Sequence, residues 1–241
     1  MGNLASTYWA RGKLEAAEQL EEEVLGVRRE VLGERHPSTL TSMANLASTY
    51  RACGKLEAAE QLEEEVLGVR REGLGEHHPD TLTSMANLAS TYWARGKLEA
   101  AEQLEEEVLG IRREVLGERH PSTLTSMANL ACTYRAVESW RQLSSWKRRA
   151  CGKLEAAEQL EEEVLGVRRE VLGECHPSTL TSMANLASTY RACGKLEAAE
   201  QLEEEVLGVR REVLGERHPD TLTFHGQPCT YLLGLWKAGG S

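Results

Sequence analysis

The segment MANLASTYRACGKLEAAEQLEEEVLGVRRE at residues 43–72 returns letter for letter at residues 183–212, and close copies of it fill most of the remaining chain. The glycines that mark the middle of each copy are Gly12, Gly54, Gly96, Gly152 and Gly194. Their spacing is 42 residues except for one step of 56, from Gly96 to Gly152, which is one period plus 14. A fixed period of this length is the signature of a repeat architecture, in which each copy is one small structural module.

Each copy predicts two amphipathic helices. Pro37 suits the first turn of a helix, because its missing N–H would be unpaired there. Apolar residues then recur at helical spacing at Leu40, Met43, Leu46, Ala47 and Tyr50. Gly54 breaks this pattern, and a second helix, ending near Gly75, carries Leu56, Ala59, Leu62, Val66 and Val69. We name these helix A and helix B of a repeat.

Helix B has its acidic residues early and its basic residues late, which complements the helix dipole at both ends. The residues are Glu57, Glu60, Glu63, Glu64, Glu65, Arg70 and Arg71. The simplest interpretation of this charge run is a solvated face.

A helix pair of this kind has an apolar stripe that it cannot bury alone, so neighbouring pairs must stack. We therefore expect an all-α solenoid of about five antiparallel helix pairs, the fourth of them interrupted. The predicted organisation is a repeat array over 1–136 with a truncated first unit, an insertion at 137–150, a continued array over 151–223 and a tail at 224–241. The last helix B would expose apolar surface, which predicts self-association through the C-terminal repeat.

The insertion and the tail both differ sharply in composition from the repeats. Writing the repeat CGKLEAAEQLEEE as codons and deleting the first base gives VESWRQLSSWKRR, which is residues 137–149. Inserting one T after the codon for Thr223 gives Phe224 to Cys229, and the same frame later gives 234–241 and a stop, although 230–233 need further base changes. We hypothesise that 137–149 and 224–241 are off-frame translations of the repeat. For the insertion, which has two Trp and a basic run, the alternative is an amphipathic anchor or a calmodulin-like target.

The composite repeat HPSTLTSMANLASTYRACGKLEAAEQLEEEVLGVRREVLGE resembles the tetratricopeptide repeat, in the 42-residue variety of kinesin light chains and of fungal and bacterial STAND-type receptors. The resemblance covers residues 1–223 apart from the insertion and implies a right-handed superhelix. Two positions depart from the common pattern: Glu63 stands where many such repeats have an aromatic residue, and Met43 where the shorter type often has Trp. These departures bear on the choice of ligand.

Composition narrows the function further. The chain has 28 Lys plus Arg against 38 Asp plus Glu, a formal charge of -10, which disfavours binding to nucleic acid or to anionic membranes. No run of about 18 apolar residues and no secretory signal occurs. The six cysteines form no CxxC pair, and we interpret them as free thiols. We expect a cytoplasmic protein.

Histidines invite a catalytic or metal-binding interpretation, but five of the seven directly precede a proline at the turn before a repeat. They are His36, His78, His120, His176 and His218. Stacked helices lie about 8–10 Å apart, so two of these side chains could hardly share one metal ion with bonds of about 2 Å. Capping of the turn is the favoured role. With no catalytic motif in the sequence, we expect no enzyme activity, no cofactor and no metal.

In the family that the sequence resembles, helix A lines the concave face. The positions that this resemblance places towards the groove are Asn45, Ser48, Arg51, Asn87, Ser90, Trp93, Asn129, Arg135, Asn185, Ser188 and Arg191. Asparagine can pair with a peptide backbone, arginine can bind carboxylates, and tryptophan offers a flat apolar anchor. The groove would suit an extended, partly acidic peptide. Alternatively, the asparagines bond an adjacent helix and the arginines are ordinary solvated surface.

These observations favour a non-enzymatic scaffold that binds a protein or an extended peptide, as part of a larger sensor or scaffold protein. A kinesin-light-chain-like cargo adaptor is a second interpretation. A third is that near-identical repeats with two frame changes mark a decaying locus, or a wrongly joined gene model, whose product has no function of its own.

Overall fold

The computed structural model describes residues 2–143 and 151–215, and every regular element in that part of the chain is an α-helix. The A helices are α1 (Gly2–Ala10), α3 (Pro37–Ala52), α5 (Pro79–Ala94), α7 (Pro121–Leu143) and α9 (Pro177–Ala192). The B helices are α2 (Leu14–Leu32), α4 (Leu56–Leu74), α6 (Leu98–Leu116), α8 (Cys151–Leu172) and α10 (Leu196–Leu214). The all-α fold of five helix pairs predicted from the repeat is confirmed.

Helix ends follow from the residues that the repeat places there. Pro37 is the first residue of α3, and His36 before it caps the helix by accepting a hydrogen bond from the Ser38 backbone N–H. Gly75 follows the last residue of α4 and has a φ of 84°, which a residue with a Cβ would rarely adopt. The boundaries predicted from proline and glycine are thus the boundaries of the helices.

The chain forms two compact units whose boundary falls inside α6, one ending at Val108 and the other beginning at Leu109. In unit 1 the core joins three helices, with Leu25 of α2 and Val66 of α4 packed on Leu40, Met43 and Leu46 of α3. The equivalent cores of unit 2 are Leu109, Leu124, Met127, Leu130 and Val164, and Leu165, Leu180, Met183, Leu186 and Val206. The A helices α3, α7 and α9 are therefore each held between two B helices. Burying each such side chain contributes about 1.5–3 kcal/mol.

The fourth helix pair differs from the others in the length of its A helix. Helix α7 continues through residues 137–143, where the Val137 and Glu138 side chains are buried. Contacts on both sides of the insertion keep the form seen elsewhere: Arg113 pairs with Glu163 across 50 residues, as Arg29 pairs with Glu65 across 36. The 14 extra residues are thus absorbed without changing this contact. Residues 144–150 and the tail at 224–241 lie outside the described part of the chain, so the off-frame origin stays a prediction.

Two sequence-based expectations need correction. The charge run of helix B is not a uniformly solvated face, because Glu60 and Glu63 are buried while Glu57, Glu64 and Glu65 are exposed. The cysteines are not all thiols, because Cys132 is disulfide-bonded.

Candidate functional site

The A helices of each unit contact one another directly, α3 with α5 in unit 1 and α7 with α9 in unit 2. We call the surface that each pair presents the A-helix face. The predicted site residues recur on it at Asn45, Ser48, Arg51, Asn87, Ser90 and Trp93 in unit 1, and at Asn129, Arg135, Asn185, Ser188 and Arg191 in unit 2. The sequence presents them as one set, but their surroundings differ.

The asparagines form the accessible group. Asn45 is exposed, and Asn87, Asn129 and Asn185 are partly exposed. Within the described residues, none of these four side-chain amides makes a hydrogen bond to the protein. Each amide can therefore both donate to and accept from an added ligand. The alternative that the asparagine side chains bond an adjacent helix finds no contact in this part of the chain.

The serines are partly committed to their own helices. Ser48 donates to the Ala44 carbonyl at 3.1 Å, Ser90 to the Ala86 carbonyl at 2.9 Å and Ser188 to the Ala184 carbonyl at 3.0 Å. A hydroxyl that donates in this way still has lone pairs available. The serines can therefore accept from a ligand N–H, but their protons are already used.

Arg51 and Arg135 bridge neighbouring A helices. Arg51 Nη1 donates to the Asn87 carbonyl at 3.2 Å and to Thr91 Oγ1 at 3.3 Å, so that it ties α3 to α5. The same nitrogen lies 3.6 Å from Glu63 Oε1. These contacts make Arg51 a support beneath the A-helix face, and neither a solvated group nor an open carboxylate receptor.

Arg135 makes the corresponding contacts in unit 2 and is more deeply buried. Its Nη1 donates to the Asn185 carbonyl at 3.2 Å, to Thr189 Oγ1 at 2.9 Å and to Glu161 Oε1 at 3.2 Å. The Arg135 side chain is only 9% exposed, and the Glu161 side chain is only 3% exposed. The guanidinium and its partners thus join α7, α8 and α9 in one buried polar cluster.

The glutamates that face these two arginines are buried in surroundings of low polarity. Burial raises the pKa of Glu63 above its ordinary value, against the opposing effects of the Thr91 hydroxyl and the Arg51 charge. Burial likewise raises the pKa of Glu161, and Arg135 is the main opposing influence. The arginine at this position of helix A therefore keeps a carboxylate of its own repeat compatible with burial.

Arg191 occupies the same repeat position but remains partly open. Its side chain is 39% exposed and lies 3.2 Å from Glu203, while Nη2 also approaches Ser188 Oγ at 3.4 Å. Of the three predicted arginines, it is the one whose guanidinium could turn towards a ligand.

Tryptophan replaces arginine at this position in two repeats. Trp93 is partly buried, and its indole Nε1 is enclosed without a hydrogen-bond acceptor in the described residues. Trp9 is 47% exposed. Trp9 takes the position of Arg51 in the first repeat, so Glu21, which is equivalent to Glu63, has no arginine from its own repeat beside it. Burial raises the pKa of Glu21, and the Thr49 hydroxyl opposes this effect.

A cavity of 270 Å³ opens on the A-helix face of unit 2. Its apolar wall includes Leu124, Val171 and Leu172, and Asn129 and Asn185 stand at its edge. The lining includes two arginines and no carboxylate. The lining residues are Arg119, Pro121, Leu124, Thr125, Ala128, Asn129, Cys132, Arg168, Val171, Leu172, Ser178, Thr181 and Asn185. A smaller cavity of 160 Å³ occupies the equivalent place in unit 1, where Asp80 replaces Ser178. Arg119 of the unit 2 lining is ion-paired with Glu170 at 2.6 Å, which offsets its charge at the cavity.

The histidines cap helices, as the sequence predicts. Nδ1 of His36, His78, His120 and His176 each accepts a hydrogen bond of 3.1 Å from the backbone N–H two residues later. In residues 2–143 and 151–215, no group of three or more His, Cys, Asp or Glu is placed to hold a metal ion. None of the helices described there has both the length and the apolar character required to cross a membrane.

Sequence reasoning missed the buried glutamates that support the A-helix face. Glu63 lies within a run of charged residues, and that pattern alone predicts a solvated position for it. The available signal was its place beside the apolar positions Leu62 and Val66, together with the recurrence of an arginine 12 residues earlier at Arg51. Trp93 takes the place of this arginine in one repeat, so the arginine–glutamate pair does not recur in every copy.

Comparison with known proteins agrees with the geometry. Family models described as tetratricopeptide repeat match residues 1–72, 81–122, 143–178 and 179–220. Among curated proteins, no sequence match was found.

Solved structures of the same architecture are similar over most of the chain. One is a Podosopora anserina protein described as a kinesin light chain with nearly identical TPR-like repeats. It is 32% identical, with a TM-score of 0.73 over 90% of this chain and 95% of that one. BtubC (BKLC) from P. vanneervenii is 23% identical, with a TM-score of 0.70 over 90% and 80%, and this second likeness concerns the fold alone. The chain therefore belongs to the tetratricopeptide repeat family, in its kinesin-light-chain-like form, and is a protein-interaction scaffold.

Proposed function

We propose that the A-helix face binds an extended, partly acidic peptide segment of a partner protein, and that the chain acts as the binding portion of a larger sensor or scaffold. The observation that carries this proposal is the accessible asparagine amides, two on the A-helix face of each unit, without protein partners in the described residues. Such amides suit the alternating donors and acceptors of an extended backbone.

The unit 2 cavity supports a preference for acidic segments with an apolar side chain. Leu124, Val171 and Leu172 can receive an apolar group, and two arginines lie beside it, Arg168 and the Glu170-paired Arg119. Arg168 also donates to the Ser178 carbonyl and to Ser182, so it contributes charge more than a free hydrogen bond. Binding that depends on these charges should weaken as salt rises.

The proposal is tested by selecting displayed decapeptides on the immobilised full chain and titrating the enriched sequences by fluorescence anisotropy. We expect acidic sequences to be enriched. Asn129→Ala together with Asn185→Ala should weaken their binding about tenfold, since each lost hydrogen bond is worth about 0.5–1.5 kcal/mol. Gln159→Ala, an exposed amide on α8, is the matched control and should leave affinity unchanged. Equal affinity for the asparagine double variant and the control would exclude the A-helix face of unit 2 as the binding site.

The arginines call for a separate design, because alanine at Arg51 or Arg135 also removes a bridge between helices. Arg191→Ala changes the position that remains partly exposed. If arginine binds acidic peptide directly, Arg191→Ala should lower affinity and its salt dependence while leaving the unfolding midpoint nearly unchanged. An unchanged affinity would restrict the arginines to structural support.

A kinesin-light-chain-like cargo adaptor is the second candidate, favoured by similarity to the Podosopora anserina protein. Copurification of the chain with a kinesin motor chain would support it. Failure to copurify, with peptide binding retained, would favour the sensor or scaffold.

A further inference from the structure

Consecutive helix pairs are joined by one set of contacts that recurs from junction to junction. A glutamate of helix B pairs with the lysine before the next helix B, a second glutamate accepts from the tyrosine of the next helix A, and an arginine pairs with a glutamate of the next helix B. These contacts are Glu18–Lys55, Glu22–Tyr50 and Arg29–Glu65; Glu60–Lys97, Glu64–Tyr92 and Arg71–Glu107; and Glu158–Lys195, Glu162–Tyr190 and Arg169–Glu205.

Helix α10 carries the first half of this set without the second half. Glu200, Glu204 and Arg211 occupy the positions of Glu158, Glu162 and Arg169 one period later. All three are exposed, and their side chains have no partner in the described residues. Glu60, at the same position as Glu200 in an internal repeat, is by contrast buried.

The first helix pair carries the complementary half. Lys13, Tyr8 and Glu23 occupy the positions of Lys55, Tyr50 and Glu65 one period earlier, and their side chains also have no partner in residues 2–143 or 151–215. Arg11 occupies the position of Arg95, which elsewhere pairs with two glutamates of the preceding helix B. Arg11 and Lys13 are exposed.

The leucines that meet at an internal junction are also exposed on α1 and partly exposed on α10. Leu46 and Leu186 are 2% and 3% exposed, because each packs in a cluster with a leucine of the preceding helix B. Leu4, at the equivalent position of α1, is 48% exposed. Leu207 of α10, at the position of the buried Leu165, is partly exposed.

We propose that α10 of one copy docks on α1 and α2 of a second copy, reproducing the internal junction between chains. Leu207 would contact Leu4, Glu200 would pair with Lys13 and Arg11, Glu204 would accept from Tyr8, and Arg211 would pair with Glu23. This gives the self-association predicted from the sequence a defined second surface. It stands independently of peptide binding on the A-helix face.

The charges on the two surfaces favour a second copy of the chain as the binding partner. The α10 surface presents Glu197, Glu200 and Glu204 together with Arg211, and the α1–α2 surface presents Arg11 and Lys13 together with Glu23. Because the whole chain has a net charge of -10, two copies repel each other in most orientations, and the basic α1 end is the part that an acidic α10 would attract. Two different surfaces are used, so the contact is heterologous and generates open head-to-tail chains unless the rotation closes.

The proposal is tested with the full chain by analytical ultracentrifugation over a range of concentrations. The wild type should show a mean mass that rises with concentration and falls with added salt. One variant, Arg11→Glu with Lys13→Glu, blocks the α1–α2 surface, and another, Glu197→Lys with Glu200→Lys, blocks the α10 surface. Each should raise the concentration needed for association about tenfold or more, as expected for the loss of two or more ion pairs.

Mixing the two variants distinguishes this interface from other kinds of association. Each variant keeps the surface that the other has lost, and the two charge-reversed surfaces are also complementary to each other, so an equimolar mixture should recover the association that neither variant shows alone. The control Glu76→Lys with Glu118→Lys makes the same charge change as the α10 variant at exposed loop positions outside α1, α2 and α10, and should associate at least as readily as wild type. Circular dichroism establishes that all variants remain helical.

A wild-type chain that stays monomeric at every concentration would overturn the proposal. So would association that persists in both blocked variants, or a mixture of folded variants that remains monomeric.

Discussion

The Arg135 guanidinium lies 3.2 Å from the Glu161 carboxylate, and both side chains are almost completely buried. Removing one member of such a pair leaves the other as an unpaired buried charge, which typically costs about 3–5 kcal/mol. We therefore expect Arg135→Ala to lower the urea midpoint of unfolding strongly. Arg191→Ala, at the same repeat position but with an exposed ion pair, should cost about 1 kcal/mol or less. Similar losses for the two variants would contradict the bridging role of Arg135.

The histidine caps can be tested at α9. His176→Ala removes the acceptor for the Ser178 N–H and should cost about 1 kcal/mol of unfolding free energy. His176→Asn supplies a different acceptor and should retain most of that stability. His77→Ala, a change at an exposed histidine next to the capping residue His78, serves as control in thermal unfolding. If alanine and asparagine at position 176 proved equally destabilising, the imidazole would act by packing and not as an acceptor.

Stability should depend on pH through the buried glutamates. Burial raises the pKa of Glu21, so the folded state holds its proton more tightly, and this carboxyl group destabilises the fold increasingly as pH rises from about 4.5 through the raised value. Glu21→Gln should therefore raise the melting temperature at pH 7, and the difference should vanish in acid.

Glu63→Gln is the matched comparison, because its side chain faces Arg51 and the substitution removes a counter-charge. It should gain less at pH 7 than Glu21→Gln or lose stability. A larger gain for Glu63→Gln would show that the arginine does not compensate burial.

The junction tyrosines should ionise late. Burial and the hydrogen bond to Glu64 raise the pKa of Tyr92 from its ordinary 10 to about 12. Since the folded state keeps the proton longer, this side chain contributes stability that is full below pH 10 and is lost as pH rises towards 12. Ultraviolet absorbance titration should show the delayed phase, and Tyr92→Phe should reduce it. A midpoint near 10 for all tyrosines of the folded chain would contradict the contact.

The off-frame hypothesis makes a prediction about DNA. Sequencing of the locus and its transcript should show one base missing before the codon for Val137 and an extra T before the codon for Phe224. Codons that cannot be aligned with the repeat in a shifted frame would make the Trp-rich insertion a genuine elaboration.

Much of the fold could be predicted because the repeat states each helix several times. Pro37 and Gly75 marked helix ends, and the period from Leu40 to Tyr50 identified the face that α3 buries. The candidate site was less predictable. Arg51 and Asn87 belong to different repeats, and the contact from the arginine to the Asn87 carbonyl depends on how α3 and α5 pack. Sequence showed which residues recur, but not whether the guanidinium faces a ligand or the next helix.

The recurring junction also bears on how such an array can change in evolution. The Arg29–Glu65 and Arg71–Glu107 pairs use the same two repeat positions, so successive helix pairs are joined there by the same contact. Unequal crossing-over that removes or duplicates 42 residues would join surfaces that are complementary from the outset, without compensating substitutions. The length of the array can therefore vary between generations while each new junction folds by contacts that selection has already tested.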